Sequence, residues 1–198
     1  MSAKRSIQRE DIIPLEVYGP ERPERRRAVI AMKRPRRMDV GPVAALYFEN
    51  YVTMLSQIQE MLWIEKGGEA QIADELAAYN PLIPQGGELV ATLMFEIADP
   101  LRREQQLAHL GGVEHTVSLE VGGEKITAQA DVEDGIERTR ADGKTSSIHF
   151  LHFPFTAAQI TAFRQPGARI IAAIDHGEYA HMAVLPEATR QSLAEDFD

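Results

Sequence analysis

The chain has 198 residues, 44% of them hydrophobic, and a net charge of −9, so it can bury a substantial core as one domain or as two small ones. It contains no cysteine, which excludes disulfides, a thiol nucleophile and a cysteine-ligated zinc or iron–sulfur cluster. The sequence predicts neither a signal peptide nor a membrane span, and we expect a cytoplasmic protein without membrane contact.

The first 37 residues are predicted to form a basic arm on an acidic body. Residues 1–37 hold 11 of the 21 Lys and Arg and 5 of the 30 Asp and Glu, a net +6, against −15 (10 minus 25) for the remainder. A helix is predicted from Pro23 to Met32, with Pro35 ending it. Nucleic-acid binding is one interpretation, but single-strand binding normally interleaves aromatics with cations, and Tyr18 is the arm's only aromatic residue. We therefore expect the arm to dock on the body of this chain or of a second copy in a homodimer.

A buried strand running into an amphipathic helix is the predicted centre of the fold. Residues 43–48 are apolar on both alternating faces, which is typical of a strand covered on both sides. Thr53 is predicted to cap the helix that follows, and Gly67-Gly68 to end it. A second helix over 69–80 completes a helical hairpin.

Carboxylates and amides border the apolar faces of this unit. A buried carboxylate without a partner is costly, and the cations closest in sequence are the arginines that precede the strand. We therefore predict a pocket in which these acids and amides meet those arginines. Its candidate residues are Glu49, Asn50, Gln57, Glu60, Glu65, Glu75, Arg34, Arg36 and Arg37.

Three interpretations of this pocket stay open. The arginines and carboxylates can form a structural ion-pair network, or the arginines can hold an anion or phosphate. Inward carboxylates on a helix pair also resemble the paired-metal sites of helical bundles, although the Glu-x-x-His element is missing because no histidine precedes His109.

The second half of the chain is predicted to be largely β structure. The Pro- and Gly-rich loop over 80–87 is the best candidate boundary. A tight hairpin is predicted at Gly122-Gly123, a further turn at Asp142-Gly143, and a second hairpin across His176-Gly177. The predicted strands are 88–97, 117–121, 126–132, 145–153, 168–174 and 179–185, with short helices over 100–110 and 156–164.

This order of elements predicts an α+β fold: an N-terminal helical hairpin around one central strand, then a mostly antiparallel sheet with short helices. We expect a single domain over 1–198. The alternative is a sub-division into a helical part with the basic arm, 1–87, and an antiparallel β part, 88–198.

Late histidines offer a second candidate site. Strand alternation puts His149 and His152 on opposite faces, which argues against one ion bound by both. Asp175, His176 and His181 lie around one turn, so a divalent metal site built on these three is geometrically feasible. Structural histidines with ordinary hydrogen bonds are the alternative.

Several segments resemble an uncharacterised bacterial family, the domain of unknown function numbered thirty-five hundred and one. They are FEN at 48–50, QIQEM at 57–61, AYNPLIP at 78–84, ELVATLMFEI at 88–97 and AIDHGEYAHMAVLP at 173–186. The resemblance implies a genomic context near rubrerythrin-like and cysteine-rich iron–sulfur oxidoreductase genes. It therefore suggests a cytoplasmic accessory in redox or peroxide metabolism, with a protein partner there, and it assigns no active-site residue.

Three functions are compatible with these observations. The first is a non-catalytic accessory or partner-binding protein, because phosphate loops, dinucleotide fingerprints and nucleophile elbows are all missing from the sequence. The second is a metal-dependent or small-molecule enzyme that uses the carboxylates or the late histidines. The third, nucleic-acid binding through the arm, has the least support.

Overall fold

The computed structural model describes residues 4–130, 139 and 143–198. The helices in these parts of the chain are α1 (Leu15–Lys33), α2 (Tyr51–Glu65), α3 (Gly68–Tyr79), α4 (Pro100–Leu107), α5 (Ala157–Arg164) and α6 (Glu187–Ala194). The strands are β1 (Arg37–Val40), β2 (Ala44–Glu49), β3 (Glu88–Phe95), β4 (Val117–Val121), β5 (Glu124–Thr127), β6 (Gln129–Ala130), β7 (Ile148–Pro154), β8 (Ile170–His176) and β9 (Tyr179–Val184). None of the described helices combines the length and apolar character that a membrane crossing requires.

Two antiparallel sheets organise the fold and confirm the α+β prediction. The first sheet has the order β1-β2-β3-β7-β6, and the second has the order β5-β4-β8-β9. Large side chains from both sheets form the main core, including Leu46 and Phe48 of β2, Phe153 of β7 and Leu119 of β4. β2 pairs with β3, so the first sheet contains strands from both sides of residue 87.

The opposite face of the first sheet carries a second, smaller core. Ile58 and Leu62 of α2 pack there with Ile72 of α3 and Val90 of β3. Strand alternation produces the two cores, because successive residues of β2 and β3 point to opposite sides of the sheet. β2 is therefore covered on both sides, as its apolar sequence predicts, although β3 rather than β2 is the middle strand of the sheet.

The start of α2 is fixed by a reciprocal cap. Asn50 is the N-cap residue: its side chain accepts a hydrogen bond from the Thr53 backbone N–H at 3.0 Å, and Thr53 Oγ1 accepts one from the Asn50 N–H at 2.9 Å. The prediction that Thr53 itself caps the helix is therefore wrong by three positions. An amide at the N-cap supplies the acceptor that the free N–H groups of the first turn need, and Thr53 reaches back from the third helical position.

The basic arm contains a longer helix than predicted. α1 begins at Leu15, so the expected start at Pro23 is wrong, and both Pro20 and Pro23 lie inside the helix. Each proline removes one backbone hydrogen bond, and packing against α2 compensates. The two helices approach closely where Gly19 meets Trp63, since a Cβ on Gly19 would lie 2.7 Å from the indole ring.

Two further elements were not anticipated from the sequence. β1 is a separate edge strand, which turns back into β2 at Gly41. Gly41 has φ +80°, and a Cβ there would lie 2.6 Å from the Tyr179 hydroxyl, so glycine is required. The chain also ends with α6, whose Leu193 is fully buried.

The predicted hairpins and the helix over 156–164 are confirmed. β4 pairs with β5 across Gly122-Gly123, and Thr156 caps α5. β8 pairs with β9 across Gly177-Glu178, one residue later than the predicted His176-Gly177 turn, because His176 is the last residue of β8. The predicted turn residue Asp142 and the end of the predicted strand at 131–132 lie outside the described residues.

Candidate functional site

A cavity of about 410 Å³ lies against the α2-facing side of the first sheet, next to the second core. Its wall comes from α1, β2, α2, α3, β3, β7 and the turn after α3. The apolar part of that wall consists of Met54, Leu82, Met94, Ile148 and Phe150, and Tyr47 and Tyr79 add two aromatic rings. This volume and lining are typical of sites for small organic molecules.

Four polar side chains interrupt this wall: Lys33, Glu49, Gln57 and Thr92. Glu49 is only 5% exposed, because it is the last residue of the covered strand β2. Its Oε1 accepts a hydrogen bond from Thr92 Oγ1 of the neighbouring strand at 2.8 Å. Its Oε2 is buried and has no hydrogen-bond partner among the described residues. Half of a buried carboxylate is therefore left without a donor.

A hydrogen-bonded network borders the cavity at Tyr47. The Tyr47 hydroxyl accepts a hydrogen bond from Arg37 Nε at 2.8 Å and donates one to Glu96, and Arg37 Nη2 pairs with Glu96 at 2.8 Å. The bond to the Tyr47 hydroxyl and the pairing with Arg37 hold the pKa of Glu96 below its ordinary value, while partial burial raises the pKa of Tyr47. Arg37 is thus engaged with this network and leaves Glu49 without a guanidinium partner.

The predicted pocket residues are distributed over several places. Glu49 and Gln57 line the cavity, whereas Asn50 is occupied as the cap of α2. Glu60 pairs instead with α1: Arg22 binds it through two nitrogens at 2.8 and 2.9 Å, and the Tyr18 hydroxyl donates to it at 2.5 Å. The arginine that pairs with Glu60 therefore lies in the first half of α1, which the sequence did not predict to be helical.

Glu65 and Glu75 meet on the surface rather than at the cavity. Glu65 is exposed and Glu75 is half-buried, and the Gln71 amide bridges them with hydrogen bonds of 2.9 Å to each. Arg34 is exposed in the turn that follows α1. The three residues contribute nothing to the cavity wall.

Arg36 is buried and ties distant parts of the chain together. Its guanidinium pairs with the Asp196 carboxylate and donates hydrogen bonds to the Phe48 and Glu49 carbonyls at 3.0 and 3.1 Å. It therefore fixes the backbone of Glu49 without reaching the Glu49 carboxylate.

The arm docks on the body of its own chain through ion pairs. In the described residues, six of its cations pair with acids beyond residue 37: Arg5 with Asp198, Arg9 with Glu69, Arg22 and Arg26 with Glu60, Arg36 with Asp196, and Arg37 with Asp39 and Glu96. In this structure the basic arm thus contacts acidic residues of the same molecule.

The late histidines make structural contacts. His176 Nε2 donates to the Gly111 carbonyl at 3.2 Å and its Nδ1 accepts from the Glu178 N–H, while the His181 ring packs on Tyr179. Asp175 is exposed on the opposite face of β8 from His176. The described residues contain no group of three His, Cys, Asp or Glu side chains that could hold a metal ion.

Sequence reasoning missed Lys33 and Thr92 as parts of this site. Thr92 reaches Glu49 through the strand pairing that sets Tyr47 opposite Thr92, and Lys33 arrives from the end of α1. A single threonine within an apolar run was the available signal for Thr92, whereas the position of Lys33 depends on how α1 packs.

Comparison with known proteins places the chain in a family. It is similar to a protein of Burkholderia pseudomallei K96243, whose crystal structure at 1.90 Å is described as that of a novel protein of unknown function. The two are 37% identical, with a TM-score of 0.88 over 98% of this chain and 100% of the other. No curated protein matches the chain. The profile of the family described as "Protein of unknown function (DUF3501)" matches residues 6–197, and the chain belongs to that family.

Proposed function

We propose that this protein is a non-catalytic accessory protein that binds a small organic molecule in the Glu49 cavity through a protonated nitrogen. The observation that carries the proposal is the Glu49 Oε2 atom, which is buried without a hydrogen-bond partner among the described residues. A charged oxygen taken out of water costs several kcal/mol unless a donor or cation faces it. A ligand with a protonated nitrogen supplies both the N–H donor and the positive charge that the described residues do not place at Glu49 Oε2.

The surroundings of Glu49 favour an organic cation over a metal ion. Within the described part of the chain, Glu49 is the only carboxylate on the cavity wall, and hard divalent ions prefer several oxygen ligands. The remaining wall is mostly apolar and aromatic, so it fits the body of an organic molecule. The connection to redox metabolism and to a protein partner rests on the family resemblance and stays a prediction.

Binding of two matched probes tests the proposal. 2-Phenylethylamine and 2-phenylethanol have the same aromatic body, but only the amine is protonated at neutral pH. We expect the wild-type protein to bind the amine at least about tenfold more tightly in isothermal titration calorimetry, since a buried charge-assisted hydrogen bond contributes this much or more. Glu49→Gln should abolish the preference, because it keeps the shape and removes the charge.

Glu65→Gln provides the control, since it makes the same chemical change on an exposed residue outside the cavity. It should leave both affinities unchanged. Equal binding of amine and alcohol to the wild type, or a preference that survives Glu49→Gln, would show that Glu49 does not bind a cationic ligand.

A further inference from the structure

We propose that the ligand of the Glu49 cavity is a zwitterion of the amino-acid class with an apolar side chain, whose carboxylate meets Lys33. This inference rests on the proposed function, because it takes the ammonium group of the ligand to lie at Glu49. It adds the second charged group of the ligand, the carboxylate beside the ammonium group.

The first observation is that, among the residues that the structure describes, Lys33 is the only cation on the cavity wall. It is half-buried at the end of α1, and its ammonium group forms no ion pair with the described residues. The other cations of the arm behave differently, since most of them pair with acids of the same molecule. A positive charge that borders an apolar cavity without such a pair is available to an anionic group of a ligand.

The second observation concerns Gln57, the remaining polar residue contributed by α2. It is half-buried, and its side-chain amide has no hydrogen bond to the described residues. The cavity wall therefore presents N–H donors on Lys33 and Gln57 and, at Glu49, a carboxylate with a free acceptor oxygen. A carboxylate has two oxygens that can accept from both donors, as the ammonium group donates to Glu49.

The charges on the cavity wall favour a zwitterion over an amine or an acid as the ligand. An amine without a carboxylate satisfies Glu49 but leaves Lys33 partly desolvated next to a second positive charge. An acid without an amine does the reverse, and it brings a negative charge into a cavity that already holds Glu49. A zwitterion pairs both wall charges, and its apolar side chain can pack against Met94, Ile148 and Phe150.

The test compares three probes of one body: L-phenylalanine, 2-phenylethylamine and 3-phenylpropionate. We expect the wild type to bind phenylalanine about tenfold or more tightly than the amine, and the acid most weakly, in isothermal titration calorimetry. Lys33→Met should reduce the affinity for phenylalanine to that for the amine and should not weaken binding of the amine. A thermal-shift screen of the twenty common amino acids identifies the side chain that fits best, and the same comparison is then made with its decarboxylated amine.

Arg34→Met is the matched control, because Arg34 follows Lys33 directly and is exposed away from the cavity. It should change none of the affinities. If the amine binds as tightly as its amino acid, or if Lys33→Met affects both equally, the zwitterion proposal is overturned while cation binding at Glu49 stands. If none of the amino acids and amines binds at millimolar concentration, or if Glu49→Gln changes no affinity, the proposed function fails as well.

Discussion

At the scale of residues, Glu60 and Glu49 differ in their hydrogen-bond partners. Both oxygens of the Glu60 carboxylate have donors, whereas Glu49 Oε2 has none among the described residues. Two hydrogen bonds from Arg22 and one from the Tyr18 hydroxyl converge on Glu60. The bonds from Arg22, followed by the one from Tyr18, hold the pKa of Glu60 below its ordinary value of 4.5. Burial, with help from Glu60, raises the pKa of Tyr18 to about 12, so Tyr18 stays a donor at any physiological pH.

The lowered pKa of Glu60 predicts a contribution to acid stability. A carboxyl group whose folded pKa lies below its unfolded value stabilises the fold fully above the unfolded pKa, and the stabilisation is lost as pH falls through the folded pKa. For Glu60 the loss therefore begins below about pH 4.5. Glu60→Gln should lower the urea midpoint at pH 7. The midpoint of the variant should also fall less steeply than that of the wild type below about pH 4.5.

The exposed neighbour Glu65 supplies the comparison, because Glu65→Gln removes the same charge from the same helix. Its urea midpoint should follow the wild-type pH profile closely. An unchanged acid profile for Glu60→Gln would show that the Arg22 pair is screened by solvent and contributes little.

The sequence indicated which carboxylates border apolar faces but not which groups they contact. A carboxylate beside an apolar stripe needs a partner, and this argument picked out Glu65, which is exposed, together with the half-buried Glu60 and the buried Glu49. The partner of Glu60 comes from the part of α1 that two prolines made unrecognisable as a helix. Glu49 and Thr92 meet through the register between β2 and β3, which has no local sequence signal.

At the scale of elements, α2 is the helix on which the second core depends. Ile58 and Leu62 are buried there, and Leu62 is 4% exposed. Leu62→Ala should lower the free energy of unfolding by about 2 to 5 kcal/mol, through lost burial and the cavity left behind. Denaturant unfolding followed by Trp63 fluorescence measures it.

Ile64→Ala on the same helix makes the matched control, since Ile64 is 64% exposed. It should cost less than about 0.5 kcal/mol, as is usual for surface positions. Equal effects of the two substitutions would mean that α2 is peripheral to stability.

Elements with a strong local signal were predicted, and elements that tertiary packing decides were not. Gly122-Gly123 and the apolar alternation around it dictate the β4–β5 hairpin. α1 continues through Pro20 and Pro23 because its packing on α2 outweighs the lost hydrogen bonds. α6 has a mostly polar sequence, and its order comes from contacts of a few residues such as Leu193 and Arg190 with the rest of the molecule.

At the scale of the whole molecule, ion pairs join the two ends of the chain. Arg5 binds the Asp198 carboxylate at 2.6 Å and donates to the Asp196 carbonyl at 2.8 Å. Arg164 donates to the Phe197 and Asp198 carbonyls at 2.9 and 2.8 Å. The end of the chain is thus held beside the arm, and the charge asymmetry of the sequence becomes a set of long-range contacts.

The buried pair of Arg36 and Asp196 is the most demanding of these contacts. Arg36 is 2% exposed and Asp196 is 6% exposed, so water solvates neither charge and each depends on the other. Arg36 also serves the carbonyls of Phe48, Glu49 and Ser192. Arg36→Met leaves Asp196 and three carbonyls without their donor, and we expect a loss of about 3 to 5 kcal/mol in the free energy of unfolding.

Asp196→Asn should cost less, because the asparagine side chain can still accept from Arg36 and the carbonyl contacts persist. The exposed Arg34→Met gives the baseline for loss of an arginine at this turn.

Because Arg36 holds the backbone of Glu49, Arg36→Met should also weaken amine binding under conditions where the variant is still folded, whereas Arg34→Met should not. Urea midpoints near the Arg34→Met value, together with unchanged amine affinity, would mean that the C-terminal segment and the cavity are independent of each other.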